Sequence, residues 1–366
     1  MKKLLIILIA ITGALSMQAQ TIAAYVNFRD QFVVFDDGET KILEQLPPKS
    51  FKIGPDYMAY IDNVSNLKVY YDGEVETIDP GVILNYYAGD DYLVFEKYQQ
   101  IKVWHDGKLT NLGNNITAYL ASDSIVAYYD RNYKNFHIYY NNYDYDLGDG
   151  LIEVPIIEYK IGNNIFAFVD KYQMTFTVFY QEEFIDLSSV IREVDFKVDA
   201  DIVAYVDDET NTFKAFFKGD IYDLETLAPK EYKVGNGMVA YVNQNEEFIV
   251  FYNGEKYRML NFIPESYAVK DSLVIFNNQG FTNIFFNGET QEVERYIPKI
   301  WEWGWSTFAY LDQDFMIRAV MKGEKHYVIN ETLREVKVYR NIIVVKFGNN
   351  RWAVHYNDQN YFQLDE

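Results

Sequence analysis

Short apolar runs, each about five residues long, recur along the whole chain and are separated by polar turns. The clearest copy is the segment 231–260, in which four such runs follow one another. Runs rich in Val, Ile, Phe and Tyr are typical of β-strands. The third run ends at Asn253-Gly254, a dipeptide that favours a two-residue hairpin turn. The segment therefore predicts a unit of four antiparallel strands.

This unit recurs with a period of about 35 residues. An aromatic residue near the end of the second strand marks each copy. The anchors are Tyr25, Tyr60, Phe95, Tyr128, Phe168, Tyr205, Tyr241, Phe276 and Tyr310, with a degenerate tenth copy centred on Val345. Four short strands repeated at this spacing favour the blades of a β-propeller. We therefore predict an all-β fold, a β-propeller of about ten four-stranded repeats in a single ring.

The turn after the third strand recurs as well, and most copies have Gly at its second position. These turns are Asp37-Gly38, Asp72-Gly73, Asp106-Gly107, Lys218-Gly219, Asn253-Gly254, Asn287-Gly288 and Lys322-Gly323. Copy four has Asn141-Asn142, and Asn also tolerates positive φ. Copy five has Gln181-Glu182, for which we expect a longer loop because neither residue favours positive φ.

The two ends of the repeat array do not complement each other. The segment 21–27 already has the pattern of a second strand, and the chain ends with a fourth-type strand, 361–364. About 39 strands are thus predicted, three in the first copy and four in each of the other nine. Either one blade at the seam has three strands, or the ring has fewer blades. Two five-bladed rings, cut near the insertion 144–155, are the other alternative, but no linker is present there.

The first 19 residues have the pattern of a cleaved secretory signal peptide, followed by a propeller domain over residues 20–366. Lys2 and Lys3 precede an apolar run from Leu4 to Leu15, and Met17-Gln18-Ala19 resembles a cleavage site. The run is short for a membrane span, and no later run is longer. We expect a periplasmic protein with no direct membrane span, a cell-surface or secreted location being the alternative.

The chain is strongly acidic, with 54 Asp and Glu against 33 Lys and Arg and a net charge of −21. Such a charge argues against nucleic-acid partners and anionic lipid. Cysteine is absent, so disulfides and thiol chemistry are excluded. The four histidines lack metal-ligand spacing, and no common catalytic motif occurs. We therefore predict no enzymatic activity, no cofactor and no metal.

Two sets of residues are candidates for binding. Trp301, Trp303 and Trp305 alternate along one predicted strand, which would place them on one face as a platform for a sugar or a partner protein. The alternative is that they fill the core as bulky side chains at the seam between blades. A lysine also recurs in four first strands: Lys52, Lys160, Lys197 and Lys233. These lysines would line the central channel if first strands lie nearest the axis; otherwise they face solvent or pair with carboxylates.

The strand-and-turn pattern resembles that of bacterial periplasmic propellers of the broad TolB-like and YncE-like group, across the whole mature chain. The leader, ending in Gln-Ala-Gln, resembles those common in Bacteroidetes. The resemblance implies the fold but transfers no functional residue. The function predicted is a non-catalytic periplasmic scaffold that binds an envelope protein complex, such as an accessory or plug subunit of a type IX-like outer-membrane secretion complex. The alternative is a glycan-binding protein or a polysaccharide-active enzyme.

Overall fold

The structure, a computed structural model, describes residues 21–147, 156–170, 172–190, 193–331, 333–348 and 351–362. Within these residues lie 39 β-strands in ten antiparallel sheets, nine with four strands and one, at residues 22–44, with three. For these described residues, the predicted strand number and the three-stranded first copy are confirmed. The predicted signal peptide, 1–19, lies outside the described residues. In the part of the chain that is described, no helix could span a membrane.

The strands are numbered in chain order, and each blade uses them in sequence from its inner to its outer edge. First strands are β4 (Ser50–Ile53), β8 (Asn85–Ala88), β12 (Ile116–Ala121), β16 (Ile156–Ile161), β20 (Phe196–Asp199), β24 (Glu231–Gly235), β28 (Ser266–Lys270), β32 (Trp301–Gly304) and β36 (Leu333–Tyr339). Second strands are β1 (Ile22–Val26), β5 (Tyr57–Ile61), β9 (Leu93–Lys97), β13 (Ile125–Asp130), β17 (Ile165–Asp170), β21 (Ile202–Val206), β25 (Met238–Val242), β29 (Leu273–Asn278), β33 (Thr307–Leu311) and β37 (Ile342–Phe347).

Third strands are β2 (Phe32–Asp36), β6 (Leu67–Tyr71), β10 (Gln100–His105), β14 (Asn135–Tyr140), β18 (Thr175–Tyr180), β22 (Phe213–Phe217), β26 (Phe248–Tyr252), β30 (Phe281–Phe286), β34 (Ile317–Met321) and β38 (Trp352–Tyr356). Fourth strands are β3 (Glu39–Glu44), β7 (Glu74–Asp79), β11 (Lys108–Asn114), β15 (Tyr143–Asp146), β19 (Glu183–Ser189), β23 (Asp220–Glu225), β27 (Glu255–Leu260), β31 (Glu289–Glu294), β35 (Glu324–Ile329) and β39 (Gln359–Phe362).

The core lies between neighbouring blades and is built from the second and third strands. These two middle strands are almost wholly buried, as in β25 and β26, whereas the fourth strand β27 is exposed along most of its length. Blades four and five share one such cluster, in which Ile125 and Ile138 pack with Phe166 and Phe179. This packing spans the position proposed for a cut between two five-bladed rings. The blades form a single ring of ten, and the two-ring alternative is wrong.

A tyrosine hydroxyl links several neighbouring blades. The buried anchor tyrosine of the second strand donates to a glutamate at the end of the preceding blade's fourth strand, 16 residues earlier. The pairs are Tyr60–Glu44 (3.0 Å), Tyr241–Glu225 (3.1 Å) and Tyr310–Glu294 (2.6 Å). Burial, reinforced by the carboxylate, raises the pKa of each of these tyrosines. Where the anchor is Phe276 instead, Leu260 takes the place of the glutamate and packs in the same cluster.

All ten turns between third and fourth strands have two consecutive residues at positive φ, including Gln181 (48°) and Glu182 (68°). The longer loop expected at Gln181-Glu182 is therefore wrong. Tyr180 pairs directly with Glu183 across this turn, so the register of β18 and β19 leaves only two residues to connect them. Buried packing of β18 outweighs the left-handed backbone strain, which costs roughly 1–2 kcal/mol per non-glycine residue.

The ring closes through side chains, because no strand from the tenth blade joins the first sheet in the described residues. Tyr25 stacks on Trp352 with ring centroids 5.2 Å apart, and Tyr356 donates a hydrogen bond to Asp37 at 3.0 Å. Near the axis, the first blade contributes no first strand from residue 21 onward, where its described part begins. Arg340 of the tenth blade reaches across this position and forms an ion pair with Asp90 of the third blade.

We expect Tyr241→Phe to lower the free energy of unfolding by about 1–2 kcal/mol, because Glu225 loses a partly buried hydrogen-bond donor. The double variant Tyr241→Phe/Glu225→Leu should recover most of that loss, since it recreates the natural Phe276–Leu260 pair. Denaturant unfolding of the four proteins of the double-mutant cycle measures this coupling. The converse variant, Phe276→Tyr, should destabilise; strictly additive costs in the cycle would contradict the proposed link.

Candidate functional site

The structure separates the three candidate tryptophans. Trp301 and Trp303 lie on β32, with their rings edge to face at 5.4 Å, and Trp303 packs against the core cluster between blades eight and nine. Trp305 lies beyond the strand, in the turn to β33, with a φ of 46°. The expected platform on one strand face is therefore limited to Trp301 and Trp303. Trp301, 38% exposed, borders a cavity of about 210 Å³.

The four candidate lysines make the same contact in four blades. Each lies on a first strand, and its ammonium group donates to a backbone carbonyl of the next blade's first strand while lying over an aromatic ring there. Lys52, Lys160, Lys197 and Lys233 donate to the carbonyl oxygens of Tyr86, Phe196, Tyr232 and Tyr267. The ammonium-to-ring distances are 4.0–4.8 Å. These lysines therefore link adjacent inner strands; that they also line a channel stays a prediction.

The turns between first and second strands meet around the ring axis and enclose a cavity of about 330 Å³, which we call the axial mouth. Backbone hydrogen bonds join successive turns, for example from the Asn236 amide to the Asp271 carbonyl at 2.7 Å. Carboxylates dominate the lining: Asp90, Asp123, Asp199 and Asp271. Arg340 also lines the mouth, with its guanidinium 4.6 Å from the ring centroid of Trp305.

Burial raises the pKa of two axial carboxyls, Asp123 and Asp199, to about 6. The negative charge of nearby Asp271 adds to the effect at both, whereas a hydrogen bond from the Tyr87 hydroxyl to Asp123 (3.1 Å) opposes it. Two carboxyls at the mouth therefore change charge close to neutral pH. Among the described residues, no cluster of three or more His, Cys, Asp or Glu side chains has an arrangement that could hold a metal ion.

The opposite face of the ring carries the hairpins that join second to third strands, and we call it the hairpin-tip face. Antiparallel strand order places these hairpins on the side away from the axial mouth. Six tips display one large apolar or aromatic side chain, exposed by 45% to 76%: Phe28, Val64, Tyr98, Tyr133, Tyr172 and Phe315. They belong to blades nine and one to five. Blades six to eight have polar tips, such as Glu209, Gln244 and Gln279.

Buried Asp and Asn side chains hold these tips in place. Asp62 is almost fully buried, and its Oδ1 accepts the amides of Val64 (3.0 Å) and Asn66 (2.8 Å). Equivalent side-chain caps are made by Asn27, Asp170, Asp207 and Asp312. Such caps stabilise a turn through the backbone. The exposed tip residue is thus presented on a fixed backbone.

Sequence reasoning missed the hairpin-tip face, although a signal for it was present. In most copies an Asp or Asn follows the anchor aromatic by two residues, as Asp62 follows Tyr60 and Asp312 follows Tyr310. That spacing predicts a capped turn, and a large apolar residue inside a capped turn has no core to enter.

A comparison with protein families agrees with the architecture. A family model described as a 10-bladed beta propeller domain matches residues 16–361. Among solved structures, the chain is similar to the computationally designed Ika8 protein (16% identity, TM-score 0.34, covering 74% of this chain and 95% of that one). It is also similar to Hsv2 of Kluyveromyces lactis (9%, 0.33, 78% and 98%).

A third similar structure is PorZ, a surface component of the type-IX secretion system of Porphyromonas gingivalis (9% identity, TM-score 0.29). The match covers 76% of this chain and 44% of PorZ. Likenesses at these scores carry no argument about function. No curated protein matches the chain.

We expect Asp199→Asn to stabilise the protein at pH 8 and to have little effect at pH 4. The pKa of Asp199 is raised from 3.8 to about 6 on folding, so the folded state binds more protons than the unfolded state between these values. Stability from this group is therefore full below pH 3.8 and lost as pH rises through 6. Melting temperatures at pH 4 and 8 measure the difference. Asp72→Asn, at an exposed turn, is the matched control. If Asp199→Asn raised the melting temperature equally at pH 4 and pH 8, the prediction would be contradicted.

Proposed function

The chain belongs to the 10-bladed β-propeller domain family, and on that premise we propose that it is a non-catalytic scaffold that binds a partner protein. The observation that carries the proposal is the hairpin-tip face. Large apolar side chains exposed on one face of a protein are typical of interaction sites. Here they recur on six blades, and in five of the six the hairpin backbone is held by a side-chain cap.

Rigid tips lower the entropic cost of binding a partner. Association costs free energy for every side chain and loop that must become ordered, roughly 0.5–1.5 kcal/mol per flexible side chain. When the backbone of a turn is already capped, a tyrosine on it has only its two side-chain torsions to order on binding. Tyrosine is also enriched at protein interfaces. Three of the tips, Tyr98, Tyr133 and Tyr172, belong to the consecutive blades three to five. Asp130 and Asp170 cap the turns of Tyr133 and Tyr172, whereas Tyr98 lies in a two-residue hairpin turn. A partner that covers this arc would bury all three at once.

We propose further that the partner belongs to the cell envelope, and that the chain is a periplasmic accessory or plug subunit of a type IX-like outer-membrane secretion complex. The pattern of residues 1–19, which is that of a secretory leader, supports export. The acidic composition and the lack of catalytic motifs support a protein-binding role over nucleic-acid binding or catalysis. The leader pattern, the acidic composition and the lack of catalytic motifs are all features of the sequence.

A glycan-binding role is the second candidate, and the exposure of Trp301 beside a cavity of about 210 Å³ favours it. Tyr267 and Phe308 also border this cavity, but both are buried, so the aromatic surface open to a sugar ring is that of Trp301. None of the described residues that line the cavity is acidic. Glycoside hydrolysis commonly uses two carboxyl groups across a cleft, so this cavity favours binding over cleavage.

The first test is purification of the tagged protein from the envelope fraction of its own cells, followed by mass spectrometry. We expect stoichiometric recovery of an outer-membrane protein complex with the wild type. The variant Tyr98→Ser/Tyr133→Ser/Tyr172→Ser should recover at least tenfold less, because three anchors of the interface are removed. Its melting temperature should stay close to that of the wild type, since the three side chains are solvent-exposed.

Matched controls for the tip variant are Tyr143→Ser and Tyr327→Ser. Both tyrosines are as exposed as the tips, but Tyr143 follows a turn on the opposite face and Tyr327 lies on a fourth strand at the rim. These variants should recover the complex normally. Recovery of the wild type alone, as a monomer, would refute the scaffold proposal.

The glycan candidate predicts that Trp301→Ala abolishes binding on a glycan array, because the sugar would lose its aromatic contact. Trp352→Phe, a substitution at a buried position in another blade, is the control. If the wild type binds no glycan on the array, the second candidate is eliminated.

A further inference from the structure

A pocket opens between the second and third blades, on the face of the ring that carries the axial mouth. It is bordered by the turns that join first to second strands and third to fourth strands in these two blades. Its volume is about 360 Å³, within the usual range of ligand sites. We call it the blade 2–3 pocket and define it by Asp56, Tyr71, Asp91, Trp104 and Asp106. All five belong to the described range 21–147.

The blade 2–3 pocket has an excess of negative charge that the chain does not neutralise. Four aspartates line it, against a single arginine that is already paired with one of them. The aspartates are Asp56, Asp90, Asp91 and Asp106. Among the described residues, Asp56 and Asp91 form no ion pair, and Asp106 has only His105, at 3.6 Å. Burial, together with the charges of Asp106 and Asp91, raises the pKa of Asp56. A bound cation would relieve this repulsion.

The arrangement of these carboxylates favours an organic cation over a metal ion. In the part of the chain that the structure describes, no group of three or more Asp, Glu, His or Cys side chains could hold a metal. A guanidinium group does not require ligands that converge on one point, because its five N–H donors point outward in different directions.

One aromatic side chain is open to the blade 2–3 pocket. Tyr71 is 37% exposed, whereas Tyr57 and Trp104 are buried and form the floor. The rings of Tyr71 and Trp104 meet edge to face, with centroids 5.8 Å apart. The charge of Asp106, followed by burial and the charge of Asp56, raises the pKa of Tyr71. The Tyr71 ring therefore lies beside carboxylates, and a cation over its face would be attracted by both.

An arginine of the chain itself shows how a guanidinium binds such a surface. Arg340 borders both the blade 2–3 pocket and the axial mouth. Its guanidinium lies 4.6 Å from the ring centroid of Trp305 and forms an ion pair with Asp90. Tyr71 and Asp106 provide a second combination of an aromatic ring and a carboxylate in the same pocket, and no lysine or arginine of the described residues pairs with Asp106.

The floor of the blade 2–3 pocket has a hydrogen-bond donor without an acceptor. Trp104 is 4% exposed, and its indole N–H donates to no acceptor among the described residues. A buried donor that is left unpaired is destabilising, so a carbonyl oxygen brought to the floor would be stabilised there. A peptide backbone supplies such an oxygen, whereas a polyamine has none. This donor favours a peptide as the source of the cation.

We propose that the blade 2–3 pocket binds an arginine side chain carried by an exposed segment of a partner protein. The guanidinium lies over Tyr71 and donates to Asp56 and Asp106, and a backbone carbonyl of the segment accepts the indole N–H of Trp104. Arginine suits the pocket better than lysine, since its planar fork both stacks on a ring and pairs with carboxylates.

This site goes beyond the proposed function. The blade 2–3 pocket lies on the face opposite the hairpin tips, and a cavity of about 360 Å³ holds one or two side chains of a segment. The ring therefore has a second binding site, which does not depend on a partner at the hairpin-tip face.

Selection of random 12-residue peptides by phage display, against the immobilised protein, tests the proposal. We expect arginine to be enriched in the selected peptides. Replacement of that arginine by citrulline, which keeps the shape and removes the charge, should weaken binding of synthetic peptides at least tenfold in fluorescence polarisation. The variant Asp56→Asn/Asp106→Asn should also bind the arginine peptides at least tenfold more weakly, because it lacks both carboxylates.

The matched control is Glu183→Gln/Asp220→Asn, which removes two exposed negative charges directly after the equivalent turns of blades five and six. It should bind the peptides as the wild type does. Asp56→Asn/Asp106→Asn should melt at or above the wild-type temperature at pH 7. The raised pKa of Asp56 means that its charged form is disfavoured by folding, so a neutral side chain loses no stability there.

NMR spectroscopy tests the contact with the floor. Saturation with an arginine peptide should shift the indole N–H signal of Trp104, which Trp104→Phe assigns, because the donor gains an acceptor. The indole signal of Trp352, a buried side chain of the tenth blade, should stay in place.

Three results would overturn the proposal: selected peptides without arginine, equal binding by Asp56→Asn/Asp106→Asn, or an unmoved Trp104 signal at saturation. Spermidine that displaces a labelled peptide as effectively as the unlabelled peptide does would also overturn it, since the occupant would then be a small free cation.

The scaffold proposal and the arginine pocket fail separately. The variant Tyr98→Ser/Tyr133→Ser/Tyr172→Ser should bind arginine peptides as the wild type does, because its substitutions lie on the opposite face. If the wild type binds these peptides but recovers no envelope complex, the scaffold function is wrong and the pocket stands. If the complex is recovered and no arginine peptide is selected, the pocket inference is wrong and the scaffold function stands.

Discussion

Each blade of this ring is too thin to bury its own apolar side chains, and burial against both neighbours is the constraint on which the structure depends. The second and third strands are buried on both faces, so a blade removed from the ring would expose both surfaces to water. Small residues at the centre of the second strand, such as Ala59 and Ala240, have no exposed surface at all. They allow adjacent sheets to approach closely, which large side chains there would prevent.

Much of this architecture can be predicted from the sequence, because it depends on local and periodic features. The 35-residue period, the anchor aromatics and the Asn-Gly and Asp-Gly turns together specify the number and order of strands. Gln181-Glu182 shows where local reasoning fails. The register of the flanking strands determines the turn there, and residues with little preference for positive φ adopt it. Tertiary packing thus overrides a turn preference of roughly 1–2 kcal/mol per residue.

The candidate site was harder to predict, since it depends on exposure and on distances across the ring. The sequence indicates that Trp301, Trp303 and Trp305 are unusual, but a turn begins after Gly304 and takes Trp305 away from the other two. The recurring lysines gave a true periodic signal, yet their partners are backbone carbonyls of the next blade, which no residue pattern specifies. Arg340 and Asp90 are 250 residues apart in the sequence, so their pairing could not be predicted from it either.

The capped hairpins separate two tasks that a protein surface usually combines. The conformation of each turn is set by a buried Asp or Asn such as Asp62 or Asp207, whether the residue at the tip is Val64 or Glu209. A mutation at a tip can therefore change which molecules bind to the ring without changing the stability of the fold. Proteins with this fold can therefore evolve new ligands one blade at a time. A change of ligand specificity need not pass through a variant of lower stability.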